Sequence, residues 1–213
     1  ALHQLENSGV RVINSPYAIE KMVDKYYTLS LLQQTGINVP DTRVCEDFNT
    51  AMQFYDELGG DVVVKPLFGS RGIGMVRVTE SDTAGRVFKA LQMGNYVYYL
   101  QRFIAHGNRD TRVMVVGTEC IAAMDRVSDT WKTNIHNGSP PHARQMDLEM
   151  QAICLQAAST LGAAYCGIDL VQDANSALYV LEVNSMPAWQ GLQQVTTADI
   201  AQVIADHCLS RIQ

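Results

Sequence analysis

Residues 62–78, VVVKPLFGSRGIGMVRV, set Lys65 inside an apolar run and follow it with a glycine-punctuated loop that leads into a second strand-like segment. An ammonium group among Val62, Val63, Val64 and Leu67 is costly to desolvate unless an anion meets it. The loop narrows the folds that can supply one. A dinucleotide fingerprint G-x-G-x-x-G must open a helix, whereas GSRGIG runs into MVRV; a P-loop must end in Gly-Lys-Ser/Thr, whereas this one ends in Gly74-Met75. A kinase places its glycine loop before the lysine, and neither H-R-D nor D-F-G occurs here. What remains is a flap between two strands, whose backbone N–H groups approach phosphate oxygens above Lys65. The competing readings are an ordinary glycine-rich hairpin and a lysine snorkelling at a strand end marked by Pro66.

A second constraint lies in GIDLVQDANSALYVLEVNSMP, residues 167–187. A hairpin turn centred on Asn175-Ser176 pairs Leu178 with Asp173, Val180 with Val171 and Glu182 with Asp169. Like charges directly opposite one another are destabilising, and Asn184 falls on the same face two residues beyond Glu182. A hard cation resolves the repulsion: two carboxylates and an amide oxygen form a partial shell suited to Mg²⁺ or Mn²⁺. A solvated hairpin face is the alternative. With Lys65 on phosphate, the pair of features points to Mg-ATP and to phosphoryl chemistry driven by positioning and electrostatics.

The chain of 213 residues, 47% hydrophobic and 18% charged, is long enough to bury a sizeable core. Its net charge of −6 disfavours a nucleic-acid coat, and no apolar stretch approaches a membrane span, so neither partner is expected. Five cysteines without C-x-x-C and five histidines without H-x-x-x-H argue against a disulfide framework, a zinc knuckle or a histidine metal site, and fit a reducing cytoplasm.

Local patterns predict a helix ended by Gly9, a strand over 10–14, one helix over 15–36, a strand over 39–44 and a helix over 49–58. Strands at 61–67 and 75–79 and a helix capped by Ser81 and running to about Met93 come next. Strands at 96–104, 111–116 and 120–127, a polar loop over 135–147, a helix over 147–161, the acidic hairpin and a helix over 197–210 complete an α+β fold in two lobes.

These motifs together resemble the ATP-grasp superfamily, and within it the RimK-type α-L-glutamate ligases. The likeness runs through NSP and DKYYT (14–28), VVVKPLFGSRGIGMVRV (62–78), LQRFI (100–104), DTRVMVVG (110–117), KTNIHNG (132–138), GIDLV and LEVNSMP (167–187). It implies two α/β lobes clasping a nucleotide: 1–15 a remnant of an N-terminal domain, 16–95 a small lobe with its linking helix, 96–213 a large lobe with the metal site. The resemblance makes Lys25 and Lys65 the nucleotide-phosphate lysines beneath Gly69, Ser70, Gly72 and Gly74. Gln101, Arg102 and Phe103 become the adenine hinge and Asp110 the ribose-side acid. Lys132 and Asn134 become a phosphate- and metal-side pair, and Asp169, Glu182 and Asn184 the metal ligands. Arg112 and Arg126 would face the acyl substrate.

Two departures stand out: Arg102 replaces an expected acidic residue and Lys132 an expected arginine, which a lysine cannot match in bidentate grip. The implied activity is an ATP- and Mg-dependent carboxylate–amine ligase using a small-molecule or peptide carboxylate acceptor, with glutamate as the amine. A catalytically impaired ATP-binding module acting through a partner is the alternative, and a homo-oligomer is compatible with either.

Overall fold

The computed structural model describes residues 1–67, 73–133 and 140–211. Helix α1 (Leu2–Asn7) ends before Gly9, whose φ of 87° only glycine adopts freely. The expected strand over 10–14 does not form; Asn14 is instead buried, with its side chain hydrogen-bonded to the backbone of Ala164, Tyr165 and Ser185. Helix α2 (Pro16–Val23) starts where the Ser15 hydroxyl accepts the Ala18 N–H and proline occupies the first turn. The single helix expected over 15–36 is in fact two. Asp24 has extended backbone, φ −83° and ψ 103°, and its carboxylate accepts the Tyr27 N–H to start α3 (Lys25–Gln34). The Thr28 hydroxyl clamps the break by donating to the Lys21 and Asp24 carbonyls at 2.5 and 2.9 Å.

The chain divides into two units, residues 40–105 and residues 1–39 with 106–213. The first contains β1 (Thr42–Cys45), α4 (Phe48–Glu57), β2 (Val62–Lys65), β3 (Val76–Val78), α5 (Ser81–Met93) and β4 (Tyr98–Arg102). Its antiparallel sheet has the order β1-β4-β2-β3. Alternate strand residues Val62, Val64, Tyr98 and Leu100 pack with Ala51, Tyr55 and Phe88 of the helices. Strand alternation therefore turns Val63 and Lys65 to the other face. Glu80, not Ser81, is the N-cap of α5, and its side chain makes no capping bond.

The larger unit adds β5 (Arg109–Val116), β6 (Glu119–Val127), β7 (Pro141–Ala143), α6 (Leu148–Leu161), β8 (Tyr165–Gln172), β9 (Leu178–Asn184), α7 (Gln190–Gln193) and α8 (Ile200–Ser210). Its antiparallel sheet runs β7-β6-β5-β8-β9. Val113, Val115, Ile168, Leu170 and Val180 pack against α2, α3 and α6, and Met114, Val116 and Met124 pack with Leu192 and Ile200 on the opposite face. Strand β7 lies in a segment expected to be loop; it pairs Pro141 with Arg126 and Ala143 with Met124. Sequence reading placed β4 in the second lobe, but it pairs with both β1 and β2 and so belongs to the four-stranded unit.

The acidic hairpin keeps its predicted pairing of Asp169 with Glu182 but not the register at its tip, where Val180 faces Leu170 and Leu178 faces Gln172. A bulge leaves Leu181 unpaired between the two registers. It also reconciles the faces: Val180 and Val183 both reach the core, while Glu182 and Asn184 stay on the face of Asp169.

Candidate functional site

Alternation along β5 brings Asp110 and Arg112 to the sheet face that also carries Met114, and cross-strand register selects their partners. Asp110 lies opposite Arg126 on β6, and Arg112 lies opposite Asp169 on β8, which lies opposite Glu182 on β9. The result is a row of charged side chains across four strands, two guanidiniums among three carboxylates, with Asp169 and Glu182 side by side at one end. The Arg126 guanidinium donates to both Asp110 oxygens at 2.6 and 2.7 Å and reaches Asp169 at 3.1 Å. Arg112 grips both Asp169 oxygens and stands 3.7 Å from Glu182. Asn184 donates to Glu182 Oε1 at 3.0 Å, and the Thr133 hydroxyl donates to Asp110 Oδ2 at 2.5 Å. Asp110, Arg126 and Asp169 are no more than 6% exposed, whereas the Glu182 side chain is 38% exposed.

Burial raises the pKa of every carboxyl in this row, and neighbouring charge decides how far each moves. For Asp169 the two guanidiniums overcome burial and hold it well below the usual carboxylate range. Burial pushes Asp110 up to about 6 against the opposing pull of Arg126. Glu182 is raised by burial and by the Asp169 charge, partly offset by Arg112.

Among the described residues no three His, Cys, Asp or Glu side chains gather as a metal site. The candidate cation shell is therefore two carboxylates completed by the Asn184 amide. Its donors are all hard oxygens, and the half-open Glu182 gives access, so the set fits Mg²⁺ or Mn²⁺. The guanidiniums beside it are suited to bidentate grip on an oxyanion.

In the four-stranded unit, Lys65 Nζ donates to Gln101 Oε1 at 2.6 Å, and Gln101 Nε2 donates to Thr42 Oγ1 at 3.0 Å. The ammonium thus meets a buried amide from the strand expected to carry the hinge. Arg102, the unexpected hinge residue, pairs with Asp41 at 2.5 Å, and Phe103 lies beneath the Arg77 guanidinium, 3.6 Å from its carbon to the ring centroid. Gly74 has φ 79° and borders Pro66.

Lys25 is the first residue of α3, and Lys132 Nζ lies 5.2 Å from the Trp131 ring centroid. Gly69, Ser70, Gly72 and Asn134 lie outside the described residues. Sequence reasoning missed Thr133, which follows Lys132 directly, and Gly167. A Cβ at Gly167 would meet Pro187 at 2.7 Å and Arg112 Cδ at 3.3 Å, so this glycine makes room for the arginine stem.

A RimK-like ATP-grasp domain profile matches residues 22–208. The tetrahydromethanopterin:alpha-L-glutamate ligase of Methanococcus maripaludis is 39% identical over 98% of this chain and 72% of its own length. The alpha-aminoadipate–LysW ligase LysX of Sulfurisphaera tokodaii is 31% identical over 93% and 72%, respectively. Among solved structures, the ATP-grasp ligase PsnB with Mg, ADP and a precursor variant aligns with TM-score 0.78 at 25% identity, covering 100% of this chain and 66% of that one. The D-cycloserine synthetase DcsG aligns at TM-score 0.81 and 19% identity over 100% and 78%, a likeness of fold alone.

Proposed function

The chain belongs to the RimK-like ATP-grasp ligases, and from that membership we propose that it joins a carboxylate to the amine of glutamate with conversion of ATP to ADP. The observation that carries this reading is the paired carboxylates Asp169 and Glu182 set against buried Arg112 and Arg126. Cation ligands and oxyanion-binding groups thus share one sheet face.

In this reading Asp169, Glu182 and Asn184 hold Mg²⁺, which when bound neutralises phosphate charge. Lys65 and Lys25 pair with phosphate oxygens, and Gln101 fixes the Lys65 ammonium. The acceptor carboxylate attacks the γ-phosphate, and the amine displaces phosphate from the resulting acyl phosphate. Arg112 and Arg126 orient the carboxylate and stabilise the developing charge. Phe103 and the Arg102 backbone take the nucleoside side, and Lys132 and Asn134 the phosphate side. Asp110, implied by the resemblance to be a ribose-side acid, instead has both oxygens engaged by Arg126 and Thr133 and anchors Arg126. Glutamate is favoured by the names of the relatives, one of them a probable alpha-L-glutamate ligase of Vibrio vulnificus at 32% identity.

The test supplies ATP, Mg²⁺ and glutamate with single carboxylate acceptors, reading products by mass spectrometry and ADP by a coupled assay. Acceptor-dependent ADP and a product heavier by one glutamyl residue are expected. No ADP with any acceptor, despite tight Mg-ATP binding by calorimetry, would leave the ATP-binding module as the better reading.

A further inference from the structure

The two arginines of the charge row are held differently. Arg126 keeps two hydrogen bonds to Asp110, which lies outside the proposed cation shell and is itself backed by Thr133. Arg112, only 11% exposed, has as ionic partners Asp169 and Glu182, both of them proposed cation ligands. A cation that takes those carboxylates therefore leaves Arg126 anchored and Arg112 without its counter-ions. Charge follows the same logic. Three carboxylates against two guanidiniums leave one negative charge, which a divalent ion converts to one positive charge. The Arg112 stem lies over Gly167, where no Cβ blocks it.

We infer that Arg112 is a displaceable internal counter-ion: a divalent cation at Asp169 and Glu182 ejects its guanidinium, which then captures an oxyanion of the substrate. Cation binding and anion binding are thereby coupled, and the site does not present a free guanidinium before the metal arrives. This rests on the proposed reading of Asp169 and Glu182 as cation ligands. The oxyanion is a phosphoryl group or a carboxylate, both of which suit a bidentate guanidinium.

Calorimetry on the whole chain tests the coupling without turnover. Mg²⁺ is titrated alone, with inorganic phosphate and with acetate, each corrected for complexation in buffer. Wild type is expected to bind Mg²⁺ at least about fivefold more tightly with one of the anions, and that anion equally more tightly with Mg²⁺, as linkage requires. Enhancement by phosphate assigns Arg112 to phosphoryl oxygens, and enhancement by acetate assigns it to the acceptor carboxylate.

Arg112→Met removes the competitor, so it should bind Mg²⁺ alone about fivefold or more tightly and lose the anion enhancement. Arg112→Lys, which keeps the charge, should not tighten Mg²⁺. Absence of anion enhancement in wild type, or equal or weaker Mg²⁺ binding by Arg112→Met, overturns the inference and leaves the ligase reading intact. If wild type binds no Mg²⁺ at all, the metal assignment falls with it. If the methionine variant does not fold, Arg112→Gln, which also removes the charge, carries the same expectation, and absence of anion enhancement in wild type overturns the inference by itself.

Discussion

Lys65 resolves a conflict that its sequence poses, because the charge in the valine run turns away from the helices and meets Gln101. Replacing it with Met preserves most of the stem, yet it strips the ammonium from a buried amide oxygen. Lys65→Met should therefore weaken ATP binding by calorimetry and also lower stability by about 1–3 kcal/mol in denaturant titration. The second cost was invisible to sequence reasoning because Gln101 reaches Lys65 only through strand pairing. Glu182→Gln should do the opposite in the apo protein: relief of repulsion from Asp169 stabilises it by about 0.2–1 kcal/mol, while its thermal gain from Mg-ATP shrinks. Lower apo stability with an intact Mg-ATP gain would mean that Glu182 serves a structural network.

Asp110 supplies a pH signature. Its folded value of about 6 exceeds the ordinary 3.8, so the stability it contributes is full below about 4 and is lost as pH rises through 6. Asp169, depressed instead, loses its contribution only at pH below its ordinary range. Between pH 4 and 6 the apo protein should thus lose of order 1–3 kcal/mol through Asp110, and Asp110→Asn should flatten that slope in pH-resolved denaturation.

Among elements, capping geometry was legible at some helix ends, where Ser15 starts α2 and Gly162 ends α6 with φ 71°, but not at α5, which starts from Glu80 and not Ser81. The break at Asp24 was not, because the apolar spacing from Ile19 to Leu29 continues across it and masks the cap. Asp24→Ala should cost about 0.5–2 kcal/mol by removing the Tyr27 acceptor, measurable as a fall in the urea midpoint at constant slope. In the acidic hairpin, the sequence pattern located the carboxylate pair but could not locate the bulge at Leu181. A bulge changes which residues oppose each other without changing the hydrophobic content of the strand. Strand β7 escaped notice because three residues that begin with Pro141, itself preceded by Pro140, carry no periodic signal.

At the scale of the whole molecule, ordered motifs revealed the family and the α+β class, while local pattern misplaced the division between units. Strand β4 follows α5 directly, and only its long-range pairing with β1 and β2 assigns it. With Mg-ATP at about one hundred times its Kd, the native state should gain about 2.7 kcal/mol, an upward shift of roughly 5–11 °C in Tm for a chain of this size. Mg²⁺ or ATP supplied singly should give less, and calorimetric melts with each ligand separate the cases.

Asn14 exerts its influence on another timescale. Its amide donates to the Tyr165 and Ser185 carbonyls at 2.8 and 2.9 Å and accepts the Ala164 and Tyr165 N–H groups at 2.7 and 3.1 Å, using all four of its hydrogen-bonding directions. Only an amide fits that pattern. Asparagine followed by serine is also a combination open to spontaneous deamidation, and an aspartate here would turn its donors into acceptors facing two carbonyls. The fold that needs Asn14 is what engages its amide in four hydrogen bonds, so chemical ageing and unfolding reinforce each other: each excursion from the native state releases the amide and exposes the seam to damage that makes the next excursion easier.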